Sequence, residues 1–259
     1  MEHDVSLRSL GGASRIVGLN KQVKRRLILE VSDLSVCFGP KEVISRFCLL
    51  ADNSSVTLLA GANGAGKSTV IRAIAGLVPY HGQITFDGVD LKNHTSADRH
   101  QVGIGYLPQQ NGVFLGLSVY ENFSLASHGG VSSPDEVFNF PCPNGTWPDL
   151  WSKRASSLSI GQQRSLAAAM VLVRRPKIAL LDEPFAGLAG DAAENLGFYL
   201  KESVLNEGLT LIIVDHNLQL SSAIADHVYV IRDGVSRELP SGISAAEIAV
   251  QLITELNYS

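Results

Sequence analysis

Much is scarce in this chain of 259 residues. It holds three cysteines, Cys37, Cys48 and Cys142, an odd number at long spacings with no CxxC pair. That excludes a disulfide framework and suits reduced thiols in a cytosolic protein. Seven histidines are present, and none stands at metal-ligand spacing. No apolar run approaches the ~20 residues that a membrane span needs. The opening residues, MEHDVSLRSLGG, contain no apolar signal core. The reading is a soluble chain, still able to dock on a membrane protein. Excess positive charge is missing too. Lys and Arg total 21 against 25 Asp and Glu, for a net charge of -4 and a pI near 6.0. Such a balance argues against a general nucleic-acid binder. The one basic cluster is Lys21, Lys24, Arg25 and Arg26. It reads as a solvated extension in preference to a lipid-headgroup contact.

What is present points to one sizeable α/β domain, since 45% of the residues are hydrophobic. Residues 1–26 are polar, contain Gly and Ser, show no period, and read as a flexible lead-in. LILEVSDLSVCFG alternates like a strand. SSVTLLAG is a buried-strand run ending in glycine. KSTVIRAIAGL repeats apolar residues at helical spacing, with Gly76 as its C-terminal cap. GQITFDGVDL reads as strand, turn, strand around Asp87-Gly88. VGIGYLP is a strand stopped by Pro108. Residues 129–150 carry too many glycines and prolines for a long helix, although Ser133, Pro134 and Glu136 fit the start of a short one. A helix is expected from Gln163 to Arg174. KIALLDEP and LTLIIVDH are continuous apolar runs, the signature of parallel strands buried on both faces. HVYVIRDG reads as a late strand, and Ser244 with Glu247 forms a capping box for a helix within 241–259. Strands alternating with helices imply a largely parallel sheet.

The chemistry begins at GANGAGKST, which matches G-x-x-x-x-G-K-[ST] between a strand and a helix. Its residues are Gly61, Ala62, Asn63, Gly64, Ala65, Gly66, Lys67, Ser68 and Thr69. The glycines let backbone N–H groups curl around an anion. Lys67 can reach β- and γ-phosphates, Ser68 can ligate Mg²⁺, and the helix end adds its dipole. Asp182 ends the run IALLD, where its carboxylate can hold the metal. Glu183 follows and is expected to point elsewhere because strand side chains alternate, leaving it to polarise an attacking water. His216 ends another apolar run, at the carboxyl edge where sheet ligands sit. Gln109, after Pro108, is a neutral ligand for Mg²⁺ or a water. SSLSIGQQRS, residues 156–165, has too few glycines to wrap a phosphate alone, yet it leads into a helix.

Taken together, these motifs resemble an ATP-binding-cassette (ABC) ATPase over about residues 27–240. The fold implied is a P-loop NTPase with a parallel core sheet, an antiparallel β subdomain and a helical subdomain near 110–160. GANGAGKST is similar to Walker A, YLPQQ to the Q-loop, LSIGQ to the signature LSGGQ, IALLDEP to Walker B, FAGLA to the D-loop, and His216 to the switch histidine. Phe38 matches the aromatic that stacks on adenine. The resemblance implies ATP and Mg²⁺ as ligands, and a head-to-tail dimer with an identical or paralogous cassette. Ser159, Gly161 and Gln162 would then cap the partner's ATP, with the positive end of the following helix aimed there. It further implies integral membrane transporter subunits, a periplasmic binding protein for an importer, and a cytoplasmic, peripheral position on the inner face of the plasma membrane.

The finer resemblance is to cassettes for branched-chain amino-acid, urea and amide uptake, carried by GVFLGLSVYENF, DEPFAGLA and VDHNL. Lipopolysaccharide-export cassettes match the same pieces about as well. Three departures stand out: Ile160 in place of the first signature glycine, Ala189 in place of the D-loop aspartate, and Met170 where arginine is common. A soluble, non-transport ABC ATPase is the rival reading. A repair cassette lacks support because no coiled-coil insert is present. A GTPase lacks support because NKQV has Val23 where N-K-x-D needs aspartate.

Overall fold

The computed structural model describes residues 26–127, 130 and 140–254. An antiparallel hairpin opens it, β1 (Leu27–Phe38) and β2 (Lys41–Asp52). Next come β3 (Val56–Gly61) and the helix α1 (Lys67–Ile74). β4 (His81–Phe86) and β5 (Val89–Asp90) turn on Asp87 and Gly88, both at positive φ, as an Asp-Gly turn requires. Then follow α2 (Ser96–Gln101), β6 (Ile104–Leu107), α3 (Val119–Ala126), α4 (Trp147–Leu150) and α5 (Ile160–Leu172). The remainder is β7 (Ile178–Asp182), α6 (Asp191–Glu207), β8 (Thr210–Val214), α7 (Leu218–Ile224), β9 (His227–Arg232), β10 (Val235–Glu238) and α8 (Ala245–Thr254).

Two sheets result. One is antiparallel in the order β2-β1-β4-β5. The other runs β10-β9-β3-β8-β7-β6, with β9, β3, β8, β7 and β6 parallel and β10 antiparallel at the edge. The continuous apolar runs lie at its centre for a simple reason. Successive strand side chains face opposite ways, so a strand covered on both sides must be apolar at every position. In β7 and β8 all ten residues are buried. Ala179, Leu181, Leu211 and Ile213 enter one core with Phe123, Trp147 and Leu166. Ile178, Leu180, Ile212 and Val214 enter a second core with Phe47, Ile71 and Ile84, between the two sheets and α1.

The helical segment is held by a few specific anchors. Trp147 meets Phe123 edge-on at 5.6 Å and donates Nε1–H to the Phe140 carbonyl at 3.0 Å. Such an aromatic pair is worth about 0.5–1.5 kcal/mol beyond its buried area. Buried Asn122 accepts from Phe114 N and donates to the Phe114 and Ser118 carbonyls, so its amide carries no desolvation debt.

Some expectations shift. The helix expected at Gln163 begins three residues earlier, at Ile160. Ser159 caps it by accepting from Gln162 N at 3.2 Å, while Gln162 Oε1 accepts from Ser159 N at 3.1 Å. Gly76 lies one residue past the capping Ala75 of α1, at φ +75, as a left-handed helix exit requires. The Ser244–Glu247 capping box is present, and its helix starts at Ala245. The short helix expected at Ser133 lies outside the described residues.

Candidate functional site

The loop from Gly61 to Thr69 leaves β3 and enters α1, so its backbone N–H groups gather at one helix end. Gly66 occupies the N-cap at φ +97, and a Cβ there would stand 2.4 Å from Ile44 Cδ1. The positive φ favours glycine, and any side chain would also have to displace the end of Ile44. It also leaves the first turn of α1 without a side-chain cap, and that turn contains no acidic residue. Uncapped donors at a positive helix end are what an anion needs. Lys67 is buried, and its Nζ donates to the Gly61 and Ala62 carbonyls at 2.8 and 2.9 Å. Burial pushes the ammonium pKa down, while the Glu183 and Asp182 charges partly restore it.

Across from this loop, the ends of β6, β7 and β8 assemble the acids. Ser68 Oγ donates to Asp182 Oδ1 at 2.9 Å. Asp182 is fully buried, and its other oxygen, Oδ2, has no hydrogen-bond partner. Burial raises this carboxyl above its ordinary pKa. A buried, half-satisfied carboxylate next to a hydroxyl is a hard-oxygen donor set of the kind a Mg²⁺–phosphate complex uses, so these residues fit the ion.

Glu183 is aimed by its backbone and not by strand alternation, which corrects the sequence expectation. β7 stops at Asp182, and Glu183 sits at φ +54, a conformation costing a non-glycine residue roughly 1–3 kcal/mol. Its N–H is anchored to the Val214 carbonyl at 2.6 Å. The turn brings Glu183 Oε1 to Gln109 Nε2 at 2.8 Å and to His216 Nε2 at 3.0 Å. Three residues proposed from separate motifs therefore meet at one oxygen atom. Asp215 escaped the sequence reading. Its two oxygens accept from Asn217 N and Phe185 N, tying the turn after β8 to the turn after β7. The available signal was a second acid closing a buried apolar run.

The residues of LSIGQ bond elsewhere than the phosphate loop. Ser159 and Gln162 form the capping box described above, and Gln162 Nε2 also donates to the Pro143 carbonyl at 3.0 Å. Ile160 is largely exposed at this helix end. One branch leans on Gly187 of the loop after β7, where an added Cβ would stand 2.6 Å from Ile160 Cγ2, and the residue is otherwise exposed. Gly161 packs closely on the same loop, since its Cβ would lie 3.1 Å from the Gly187 carbonyl and from Leu188 Cδ2.

A cavity of about 440 Å³ flanks the phosphate loop. Lys41 and Val43 of β2, Asn63 and Ala65 of the loop, and Ile231 and Asp233 line it. Phe38 is not among its lining residues. It pairs with Lys41 at the tip of the β1–β2 hairpin and is half exposed.

Relatives of the chain are plentiful. A family model described as ABC transporter matches residues 48–186. The probable branched-chain amino acid transport ATP-binding protein LivF of Archaeoglobus fulgidus is 33% identical over 202 residues, covering 76% of this chain and 85% of that protein. The lipopolysaccharide export system ATP-binding protein LptB of Haemophilus influenzae is 31% identical over 219 residues, covering 80% and 88%. Among solved structures, MJ1267, an ATP-binding cassette of an ABC transporter in its ADP conformation, superposes with a TM-score of 0.73. It is 25% identical, with 90% of this chain and 99% of that one covered.

Proposed function

The chain belongs to the ABC transporter family as an ATP-binding subunit, and on that premise we propose how its residues bind and hydrolyse ATP. The observation that carries the reading is the meeting of Ser68 with Asp182, beside Lys67, with one Asp182 oxygen buried and unpartnered. Lys67 turns its ammonium from the Gly61 and Ala62 carbonyls to the β- and γ-phosphates. The N–H groups of Gly64 to Ser68 cradle the same phosphates. Ser68 and Asp182, with Gln109 as a neutral third group, would hold Mg²⁺. The ion supplies charge neutralisation on the phosphate oxygens. Glu183 accepts the proton of the attacking water, and His216 and Gln109 hold its carboxylate in place. The cavity beside the loop takes the nucleoside end of ATP, with Phe38 swinging over the adenine.

Ser159, the Gly161 N–H and Gln162 act on the ATP of a second cassette. The Ser159 hydroxyl accepts from Gln162 N and keeps its own proton to donate. ATP then bridges two chains, and its hydrolysis parts them. The membrane subunits dock in an apolar groove of about 430 Å³ that is lined by Leu77, Tyr106, Leu125 and Met170. The chain works at the cytoplasmic face of the membrane in this reading, and no helix among the described residues is long and apolar enough to cross one.

For cargo we take branched-chain amino acids or a related small solute, on the similarity to LivF, with a periplasmic binding protein delivering it. Lipopolysaccharide export is the second reading, on the similarity to LptB. Glu183→Gln tests the core of the proposal. It should bind ATP, slow hydrolysis roughly 10²–10⁴-fold, and accumulate an ATP-bound dimer on size-exclusion chromatography. Normal turnover by a persistent monomer overturns both roles. Uptake of labelled leucine by vesicles carrying the co-purified membrane subunits separates the two cargo readings.

A further inference from the structure

Four consecutive side chains in the first turns of α5 hold backbone carbonyls of other segments. Gln162 Nε2 donates to the Pro143 carbonyl, Gln163 Nε2 to the Ala155 and Leu158 carbonyls, and Ser165 Oγ to the Pro141 carbonyl. Arg164 points inward. Its Nε donates to the Glu183 carbonyl at 2.9 Å, and its Nη1 to the Pro108 carbonyl at 2.7 Å and the Gln109 carbonyl at 3.4 Å. Nη2 donates to the Asp182 carbonyl. The side chain is buried, and each of these acceptors is a main-chain oxygen.

Burying a cation is costly, so its retention needs a reason. An apolar residue would fill the space, and a neutral amide would satisfy two of the carbonyls. Only a planar fork with several fixed donors spans the end of β6 and the end of β7 at once. The contacts also close a ring. Arg164 holds the main chain of Gln109. The Gln109 amide donates to Glu183 Oε1 at 2.8 Å. The Glu183 carbonyl returns to Arg164. Glu183 itself is in a left-handed conformation, which persists only where its surroundings over-determine it.

We infer that Arg164 is a positioning residue that sets the register of Gln109 against Glu183 and ties that register to the helix bearing Ser159. A displacement of α5 at its Ser159 end is passed by a rigid guanidinium to the carbonyl of Glu183. The docking groove shares this linkage, because Pro108, held by Nη1, is one of its lining residues. The inference rests on Glu183 being the group that receives the water proton, and the test separates the two.

ATP turnover of the full chain is measured with Arg164→Lys, Gln109→Ala, the double variant and Glu183→Gln in parallel, and nucleotide affinity is measured by titration with trinitrophenyl-ATP. A lysine keeps the charge but cannot span both loops. Arg164→Lys should lower kcat roughly 10–100-fold while KM and nucleotide affinity stay within about twofold. Adding Gln109→Ala to Arg164→Lys should cost little more, since both break one ring. Unchanged kcat in Arg164→Lys, or costs that simply add, overturns the inference. Turnover retained by Glu183→Gln sinks the reading beneath it. An inactive Glu183→Gln beside a normal Arg164→Lys sinks this inference alone. Should Arg164→Lys fail to melt cooperatively, hydrogen exchange on the unaltered protein decides. On adding a non-hydrolysable ATP analogue, amides near Gln109, Glu183 and Gly161 should change protection together, and independent changes overturn the proposal.

Discussion

The ends of α1 and α5 are the same object used in two ways. Each is a helix N-terminus carrying a glycine and a serine, and each presents N–H groups and a positive dipole end. At α1 the capping residue is Gly66, which brings no side chain, so the donors of the first turn stay uncommitted, and Lys67 adds a full charge. At α5 the cap is Ser159, which together with Gln162 satisfies two N–H groups internally, and the first turn contains no cation. One end keeps its first-turn donors free for an anion. The other spends part of its donors on its own cap, which leaves a smaller share free. Sequence similarity between glycine-bearing loops therefore says less than the count of donors already spent.

The comparison can be broken most forcefully at the lysine. Lys67→Ala should abolish ATP turnover and productive binding, because it removes the only charge in the first turn of either helix. Titration with labelled ATP checks this, and binding as tight as the parent's would remove the distinction between the two ends. Ser159→Arg should next block closure by bulk and charge while isolated subunits still bind nucleotide. Mixed with Lys67→Ala subunits, it leaves one composite site intact, and part of the ATPase activity should return. Loss of ATP binding by folded Ser159→Arg subunits would place α5 in the site of its own chain.

Asp182 sharpens the comparison through pH. Burial raises its folded-state pKa, so the folded chain holds the proton more tightly than the unfolded chain does. Stability therefore declines as pH rises from the ordinary aspartate range through the raised folded value. Asp182→Asn should remove that decline in nucleotide-free protein, leaving it more stable above this window yet inactive. Urea midpoints against pH measure it, and parallel curves for the two proteins would contradict the assignment. The smallest effect belongs to the cap. Ser159→Ala should cost about 1 kcal/mol of stability, or roughly 2–4 °C in Tm for a domain of this size. An unchanged Tm would mean that the capping box contributes nothing to holding α5.

Much of this was legible beforehand, and the reasons differ from motif to motif. The phosphate loop is local: nine consecutive residues with a strand before and a helix after carry their own geometry. The buried strands β7 and β8 are legible because two covered faces demand unbroken apolar runs. The helix α2 went unassigned, although Thr95 and Asp98 form its capping box, because its six residues are too few and too polar to show a period. The start of α5 is hidden because SIGQ reads as a loop until the Ser159–Gln162 pair is recognised as a cap. Glu183 departs from the alternation that the sequence implies, since a positive φ at a single glutamate has no sequence signature.

Local order in the chain was enough to establish a P-loop α/β fold, the buried strands at its centre, and the acid that closes one of them. Residues close in sequence share a backbone whose periodicity and turn preferences act without help from afar. The joining of Gln109, Glu183 and His216 at one carboxylate oxygen required three strand ends to stand side by side. So did the reach of Arg164 across residues 108 to 183. Those distances are set by the parallel pairing of β6, β7 and β8 and by the packing of α5 on them. Pairing of that kind depends on contacts between segments far apart in the chain, which no local pattern encodes.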